Sequence, residues 1–167
     1  MTKTSNVPAT RATVDVALER SLEGLFRLAA NRRFESRQTA VVGAVVTRAG
    51  YALLRGLADH GTCGVRQLGT ASAMDPATVS RQVSALIDEG LVERTAAEGD
   101  SRAVQLSLSA HGREVYERIV GYRLAHLTNV TRDWTAEDKA TLASLVERLA
   151  AGFASTPPPA RTGGGTA

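Results

Sequence analysis

The segment from Asp75 to Gly90 carries the start and stop signals of one short helix, and it constrains the fold more than any other part of the chain. Asp75 suits an N-cap, and Pro76 suits the first helical position, where its missing N–H is not needed. Gly90 suits the left-handed residue that ends a helix. Together these signals predict a helix of about 14 residues.

The predicted helix has two faces of different character. One face carries apolar residues at helical spacing, which we expect to be buried: Val79, Val83, Leu86 and Ile87. The other face and its flank carry small and hydroxyl side chains around one arginine, and they are the candidates for contact with DNA: Ala77, Thr78, Ser80, Arg81 and Ser84. Such a face fits a major groove, where Arg81 could reach a guanine edge. The alternative is that Arg81 is an ordinary solvated residue.

The periodicity changes from helical to alternating after Gly90. Residues 91–94 (LVER) and 102–109 (RAVQLSLS) alternate apolar and polar side chains, and the segment between them is polar and contains glycine. This pattern predicts a β-hairpin with an exposed tip. A short strand at Thr62–Cys63 would add a third strand to the hairpin, and a small helix over Val65–Ala71 would follow it.

Four segments in this order resemble the MarR (multiple antibiotic resistance regulator) family of winged-helix transcription factors. They are DPATVSRQV (75–83), EGLVER (89–94), the pair Asp100-x-Arg102, and LSLSAHG (106–112), where the family usually has Leu-Thr-x-x-Gly. The resemblance implies a mainly helical fold with a small β-wing (α+β), in which N- and C-terminal dimerisation helices flank a winged helix-turn-helix core. It also implies a twofold dimer that reads two half-sites of double-stranded DNA.

The wing supplies three further candidates for DNA binding. Arg102 resembles the family's wing arginine, which enters the minor groove, and Asp100 resembles the acidic partner that holds this arginine in position. The alternative for this pair is a hairpin ion pair worth under about 1 kcal/mol. Arg94, at the base of the wing, would brace the structure or touch a phosphate.

The resemblance and the composition divide the chain into five parts. Residues 1–12 are polar and aperiodic, and residues 155–167 are rich in proline and glycine, so both are expected to be disordered tails. Between them we expect an N-terminal dimerisation helix (13–46), a DNA-binding domain (47–108) and C-terminal dimerisation helices (109–154). The terminal helices carry more apolar surface than one winged helix covers, which favours a homodimer over a compact monomer.

Four helices outside the Asp75–Gly90 segment carry specific expectations. The first is expected to run to about Val42, with Gly43 near its end. Thr47 is expected to cap the second helix, which Gly61 closes, and TAED (135–138) is a capping-box-like start for the last helix. The helix that follows the wing is expected to begin at a Ser109 cap and to turn four apolar residues inward: Val115, Ile119, Leu127 and Val130.

Composition limits the class of protein without proving its function. The lone cysteine, Cys63, excludes an intramolecular disulfide, and we expect it to be a half-buried strand residue rather than a redox sensor. The sequence shows neither a signal peptide nor an 18-residue apolar run, which predicts a cytoplasmic protein that does not bind membranes. The net charge is +3, but residues 61–108 hold four basic and six acidic side chains. Charge alone therefore does not separate a DNA-binding surface from a mildly basic one.

The function expected from these observations is sequence-specific regulation of transcription rather than catalysis. The sequence contains no phosphate-binding loop, no nucleophile elbow and no histidine spacing that suits a metal, so we expect no cofactor and no metal site. We expect a repressor that binds a palindromic operator as a dimer and is released by a small aromatic or anionic effector. By resemblance, Tyr51 and His111 would line the effector pocket. The alternatives are a winged-helix protein–protein module without DNA binding and an enzyme that has borrowed the fold.

Overall fold

A computed structural model describes residues 11–29, 32–97 and 100–157, and it confirms the mainly helical α+β class. The predicted tails, 1–12 and 155–167, lie almost entirely outside these residues. The elements in chain order are α1 (Arg11–Ala29), α2 (Arg32–Val42), α3 (Arg48–His60), β1 (Cys63–Gly64), α4 (Val65–Ala71), α5 (Pro76–Asp88), β2 (Val92–Ala97), β3 (Asp100–Leu108), α6 (Ala110–Val130) and α7 (Ala136–Ser155).

The strands form one small antiparallel sheet in the order β1-β3-β2. The β2–β3 hairpin is the predicted wing, and its ladder begins where Val92 lies opposite Leu108. The strand that pairs with the other edge of β3 is Cys63–Gly64, one residue later than expected. The register shifts between Ala96 and Ala97, near the tip of the wing.

The described residues divide into two compact units, with the boundary between Tyr122 and Arg123. The core of the first unit joins α3, α4, α5, the sheet and the first half of α6, and its completely buried side chains include Leu53, Leu54, Leu68, Leu91, Leu106, Val115 and Ile119. Val42 and Val46 complete this core from before α3. The core around α5 therefore draws on residues both before and after the predicted 47–108 domain.

The sequence predicts a first helix that runs to about Val42, and the structure describes helix over Arg11–Ala29 and over Arg32–Val42. Residues 30–31, between these two ranges, lie outside the described residues. The end of α2 agrees with the sequence, since Gly43 has a φ of +77° and its N–H donates to the Thr39 carbonyl at 2.8 Å. Large apolar side chains of α1 are exposed: Val14, Val16, Leu18, Leu25, Phe26 and Leu28.

The second unit contains the end of α6 and all of α7. The expectation that Leu127 and Val130 point inward is wrong, because their exposed fractions are 56% and 61%. The predicted cap of α7 is confirmed as a capping box: the Asp138 N–H donates to Thr135 Oγ1 at 3.0 Å, and the Thr135 N–H donates to Asp138 Oδ2 at 3.1 Å. Leu142, Leu145, Val146 and Phe153 of α7 are also exposed.

Candidate nucleic-acid interface

Helix α5, the candidate recognition helix, begins at the predicted cap. Asp75 has an extended backbone, and its carboxylate accepts from the Thr78 N–H at 2.9 Å and from Thr78 Oγ1 at 2.6 Å. These hydrogen bonds, chiefly the one from the Thr78 hydroxyl, hold the pKa of Asp75 below its ordinary value. Pro76 occupies the first turn, where no N–H is required. Local chemistry thus fixes where α5 starts.

The helix is terminated by Gly90, which lies two residues after Asp88 and has a φ of +69°. The Leu91 N–H donates to the Leu86 carbonyl and the Gly90 N–H donates to the Ile87 carbonyl, both at 2.8 Å. This pair of hydrogen bonds is a complete Schellman motif, and the apolar contact that accompanies it comes from buried Leu86 and Leu91. The helix Pro76–Asp88 is 13 residues long, close to the predicted length.

The inner face of α5 packs against α3 and α4 as its spacing predicts. Val79, Val83 and Leu86 are buried, and Ile87 is partly buried against the same core. The approach of α4 is close, because a Cβ on Gly69 would lie 3.1 Å from Val79 Cγ2. The contact between α4, the first helix of the helix-turn-helix, and α5 therefore limits how closely α5 packs against the core.

A hydrogen bond that the sequence pattern does not predict connects the flank of α5 to the start of α3. The Thr47 hydroxyl accepts from the Gly50 N–H at 2.9 Å, which is the expected cap of α3, and it donates to Gln82 Oε1 at 2.6 Å. Periodicity places Gln82 between outward Arg81 and inward Val83, but it gives no sign of a partner 35 residues away. This contact supports α5 between its two ends.

The outer face of α5 presents four of the five predicted side chains to solvent: Ala77, Ser80, Arg81 and Ser84. Thr78 is different, because it is half-buried and its hydroxyl already donates to Asp75. The same hydroxyl oxygen accepts from Arg81 Nη2 at 3.3 Å. Among the described residues Arg81 forms no salt bridge, so its guanidinium keeps donors available for a guanine or a phosphate.

Arg66, which the sequence pattern does not single out, is exposed on α4. Arg66 and Ser80 border the same cleft of about 550 Å³ between α4 and α5. A second arginine therefore lies on the helix-turn-helix surface beside the outer face of α5. The only earlier sign of it was its place among the four basic residues of segment 61–108.

The wing residues are placed by the register of the sheet. Arg94 is exposed and lies opposite Leu106, which in turn lies opposite Cys63. Residues opposite one another lie on the same face of the sheet, so Arg94 lies on the same face as Leu106 and Cys63, which are buried. On the edge strand β2 its side chain remains exposed. The backbones of Asp100 and Arg102 belong to β3, while their side chains lie outside the described part of the chain.

The two residues expected to line an effector pocket have different surroundings. The ring of Tyr51 stacks on that of Tyr116 in α6, with centroids 6.0 Å apart and an angle of 21° between the planes. Desolvation and the neighbouring Tyr51 raise the pKa of the Tyr116 phenol. His111 is exposed in the first turn of α6. The sequence pattern gives no sign that Tyr116 would be the partner of Tyr51.

Other candidate chemistries receive no support from the described residues. Cys63 is buried in β1, and burial raises the pKa of its thiol, which disfavours the reactive thiolate. Within residues 11–29, 32–97 and 100–157 no three histidine, cysteine or carboxylate side chains form a group that could hold a metal ion. No described helix combines the length and apolarity needed to cross a bilayer.

Comparison with known proteins adds evidence of a different kind. The sequence profile of the MarR family matches residues 46–104, which run from the end of the α2–α3 connection into β3. An uncharacterised HTH-type transcriptional regulator of Bacillus subtilis, YwhA, is 28% identical over 98 residues, or 59% of this chain and 70% of that protein.

Solved structures give the same result over a longer part of the chain. A probable transcriptional regulator from Pseudomonas aeruginosa is 30% identical and has a TM-score of 0.61, covering 75% of this chain and 95% of the other. The PcaV transcriptional regulator of Streptomyces coelicolor, solved with its natural ligand, shares the fold at 22% identity and a TM-score of 0.62, covering 86% and 96%. The chain belongs to the MarR family of DNA-binding transcriptional regulators.

Proposed function

We propose that the protein is a repressor that binds a palindromic operator as a homodimer and is released by a small-molecule effector. The observation that carries the DNA-binding part is the outer face of α5, which exposes Ala77, Ser80 and Ser84 around Arg81. Side chains this small let a helix approach the floor of a major groove, and the exposed guanidinium can then pair with guanine O6 and N7. As a repressor the protein would act in the cytoplasm, where its operator lies.

The dimeric part of the proposal rests on apolar helix faces that the described chain leaves uncovered. Leu18, Leu25 and Phe26 are exposed on α1, and Leu142 and Leu145 are exposed on α7. Soluble monomers rarely expose contiguous apolar patches, so these faces support burial against a second copy of the chain. A twofold dimer would present two recognition helices to two half-sites about one turn of DNA apart.

The effector part rests on the aromatic pair of α3 and α6. Tyr51 and Tyr116 stack in the first unit, beside the core that holds α5. An aromatic ligand could extend or replace this stack, and the phenols could bind an anionic group of the ligand. PcaV, which shares the fold, has been solved with its natural ligand, and this supports a ligand-responsive function here. We keep Tyr51 and His111 as the proposed lining residues.

The competing function is a winged-helix module that binds proteins and no longer binds DNA. Protein interfaces concentrate energy in buried aromatic and arginine anchors, and the outer face of α5 carries no aromatic residue. Membership of a family of DNA-binding regulators also disfavours this module. The remaining alternative, an enzyme built on the fold, is disfavoured by the same membership.

Substitution of Arg81 tests the proposed role of the recognition helix. We expect Arg81→Ala to weaken binding to a duplex selected by the wild-type protein from random DNA by about 1–3 kcal/mol, with relaxed discrimination at one base pair per half-site. Arg81→Lys keeps the charge but loses the bidentate geometry, so it should lose discrimination while retaining most of the non-specific affinity. Competition binding against single-base variants of the duplex measures both effects.

Two further variants complete this experiment. Arg118→Ala removes an exposed arginine from α6 and serves as the matched control, with unchanged sequence preference. Arg102→Ala should lower affinity without altering major-groove preference, because a minor-groove contact reads groove shape. If Arg81→Ala weakens every sequence equally, Arg81 contacts only phosphate. If it changes nothing, α5 is not the reading element.

A further inference from the structure

The base of the wing contains a junction that the roles assigned above do not use. It is formed by Gly90 and Leu91 just after α5, Ser109 directly after β3, and Gly112 in the first turn of α6. We call these four residues the wing-base junction. Chain segments 19 residues apart meet at this point, because the whole wing lies between Gly90 and Ser109.

Ser109 forms three hydrogen bonds in the junction. Its Oγ donates to the Gly90 carbonyl at 2.6 Å and accepts from the Gly112 N–H at 2.8 Å. Its backbone N–H donates to the Leu91 carbonyl at 3.1 Å. The side chain is buried, so no water replaces these partners at low cost when they are lost.

Gly112 allows the two segments to approach. A Cβ added to Gly112 would lie 1.9 Å from the Leu91 carbonyl oxygen, a separation that real side chains do not show. The backbone of α6 therefore lies directly against the backbone that leaves α5. On the other side, the Schellman hydrogen bonds of Gly90 and Leu91 tie the same backbone to the last turn of α5.

We propose that Ser109 is a positioning residue for DNA recognition, which acts by fixing the recognition helix and the base of the wing to the first turn of α6. Ser109 contacts no DNA in this proposal. Without its hydroxyl, the sheet ladder from Val92 and Leu108 onward and the apolar core both remain. Loss of the hydroxyl removes the constraint on the angle between α5 and the wing. This angle matters because α5 and the wing must enter adjacent grooves of the DNA together.

The proposal predicts a loss of specific binding that exceeds any loss of general DNA affinity. Loss of the two hydrogen bonds of the Ser109 hydroxyl can lower the fraction of molecules that hold α5 and the wing at the binding angle by up to about tenfold. The apparent affinity for the specific duplex falls by the same factor. We therefore expect Ser109→Ala to bind a duplex selected by the wild-type protein from random DNA roughly 3- to 10-fold more weakly. Affinity for a scrambled duplex of equal length depends on charge and should stay within about twofold.

Matched variants separate positioning from folding. Ser109→Thr keeps the hydroxyl and the capping geometry, and it should restore specific binding to within about twofold of the wild type. Ser107→Ala makes the same substitution two residues earlier on β3, outside the junction, and should leave the ratio of specific to non-specific affinity unchanged. Each variant is compared at a temperature where circular dichroism shows it folded.

The outcomes decide the proposal. A selective loss in Ser109→Ala with rescue by Ser109→Thr supports it. An unchanged ratio of specific to non-specific affinity in folded Ser109→Ala overturns it, as does a failure of threonine to rescue. If Ser109→Ala does not fold, Ser109→Cys replaces it, because cysteine keeps the shape of serine and weakens the hydrogen bonds. That variant must show the selective loss. An unchanged ratio of specific to non-specific affinity in Ser109→Cys overturns the proposal equally.

Discussion

Substitution of Gly112 by alanine should destabilise the protein, although alanine is the better helix former. Gly112 lies in the first turn of α6, where its Cα faces the backbone of Leu91. A new Cβ would lie 1.9 Å from the Leu91 carbonyl oxygen and 2.7 Å from the carbonyl carbon, both below the 3.0 Å that real Cβ atoms essentially never undercut. The obstacle is backbone on both sides, so no side-chain rotation relieves the clash.

The size of the effect follows from what must separate. Moving α6 away from Leu91 breaks or stretches the three hydrogen bonds of Ser109, each worth about 1 kcal/mol. Replacement of glycine by alanine inside a helix raises the free energy of unfolding by about 1 kcal/mol through helix propensity, which offsets part of this loss. The net expectation is a loss of about 2 kcal/mol in the free energy of unfolding, which lies within the usual range for overpacked sites.

Gly121 provides the matched control, because it lies on the same helix and an added Cβ there meets nothing within 4 Å. Gly121→Ala should stabilise the protein by about 0.5–1 kcal/mol, so the two substitutions should have opposite signs. Urea unfolding of both variants and the wild type, at one protein concentration because assembly is linked to stability, measures this difference. Equal stability of the two variants would refute the account of the wing-base junction.

Two further predictions concern the helix-turn-helix turn and the assembly. Ala73 has a φ of +50°, which costs a non-glycine residue about 1–2 kcal/mol, so Ala73→Gly should raise the free energy of unfolding by about 0.5–1 kcal/mol. Ala71→Gly, at the last residue of α4, should lower it. Thermal unfolding that shows the same sign for both variants would contradict this. A chain of residues 32–122 keeps the core but lacks α1 and α7. It should sediment as a monomer at concentrations on the order of tens of micromolar and bind a palindrome far more weakly than the full chain. A dimer of this fragment would place the interface elsewhere.

The parts of the fold that sequence predicted well are those that local chemistry specifies. The starts of α3, α5 and α7 each depend on a side chain that caps an N–H three residues away: Thr47, Asp75 and Thr135. The ends of α2, α3 and α5 each depend on a glycine with positive φ. Such signals lie within five residues of the structure that they determine, so one sequence is enough to find them.

The long-range contacts that hold the site could not be predicted in this way. Gln82 bonds to Thr47 across 35 residues, and Ser109 bonds to Gly90 across 19. Nothing in the spacing of polar residues distinguishes these from solvated side chains, since the partners are brought together only by the packing of the core. The same reason explains why Tyr116, the stacking partner of Tyr51, was not foreseen.

The error at Leu127 and Val130 shows how apolar periodicity should be interpreted. Periodicity indicates that a helix face is buried, but it does not state what buries it. Val115 and Ile119, on the same helix, are completely buried by the core of the first unit, while Leu127 and Val130 are exposed within the second. All described side chains of α7 are likewise exposed or partly exposed, although the helix carries a regular apolar stripe.

These uncovered stripes connect assembly to recognition. If they are buried against a second copy, as proposed, the apolar surface removed from water contributes about 25 cal/mol per Å² to association, and that association brings two copies of α5 to one operator. Each recognition helix carries only one arginine on its outer face, so a single half-site offers few contacts. Specific binding must then draw on both half-sites at once. In the proposed dimer, assembly and operator affinity would form one linked equilibrium, and a substitution in the α1 or α7 stripe should weaken DNA binding without touching the DNA.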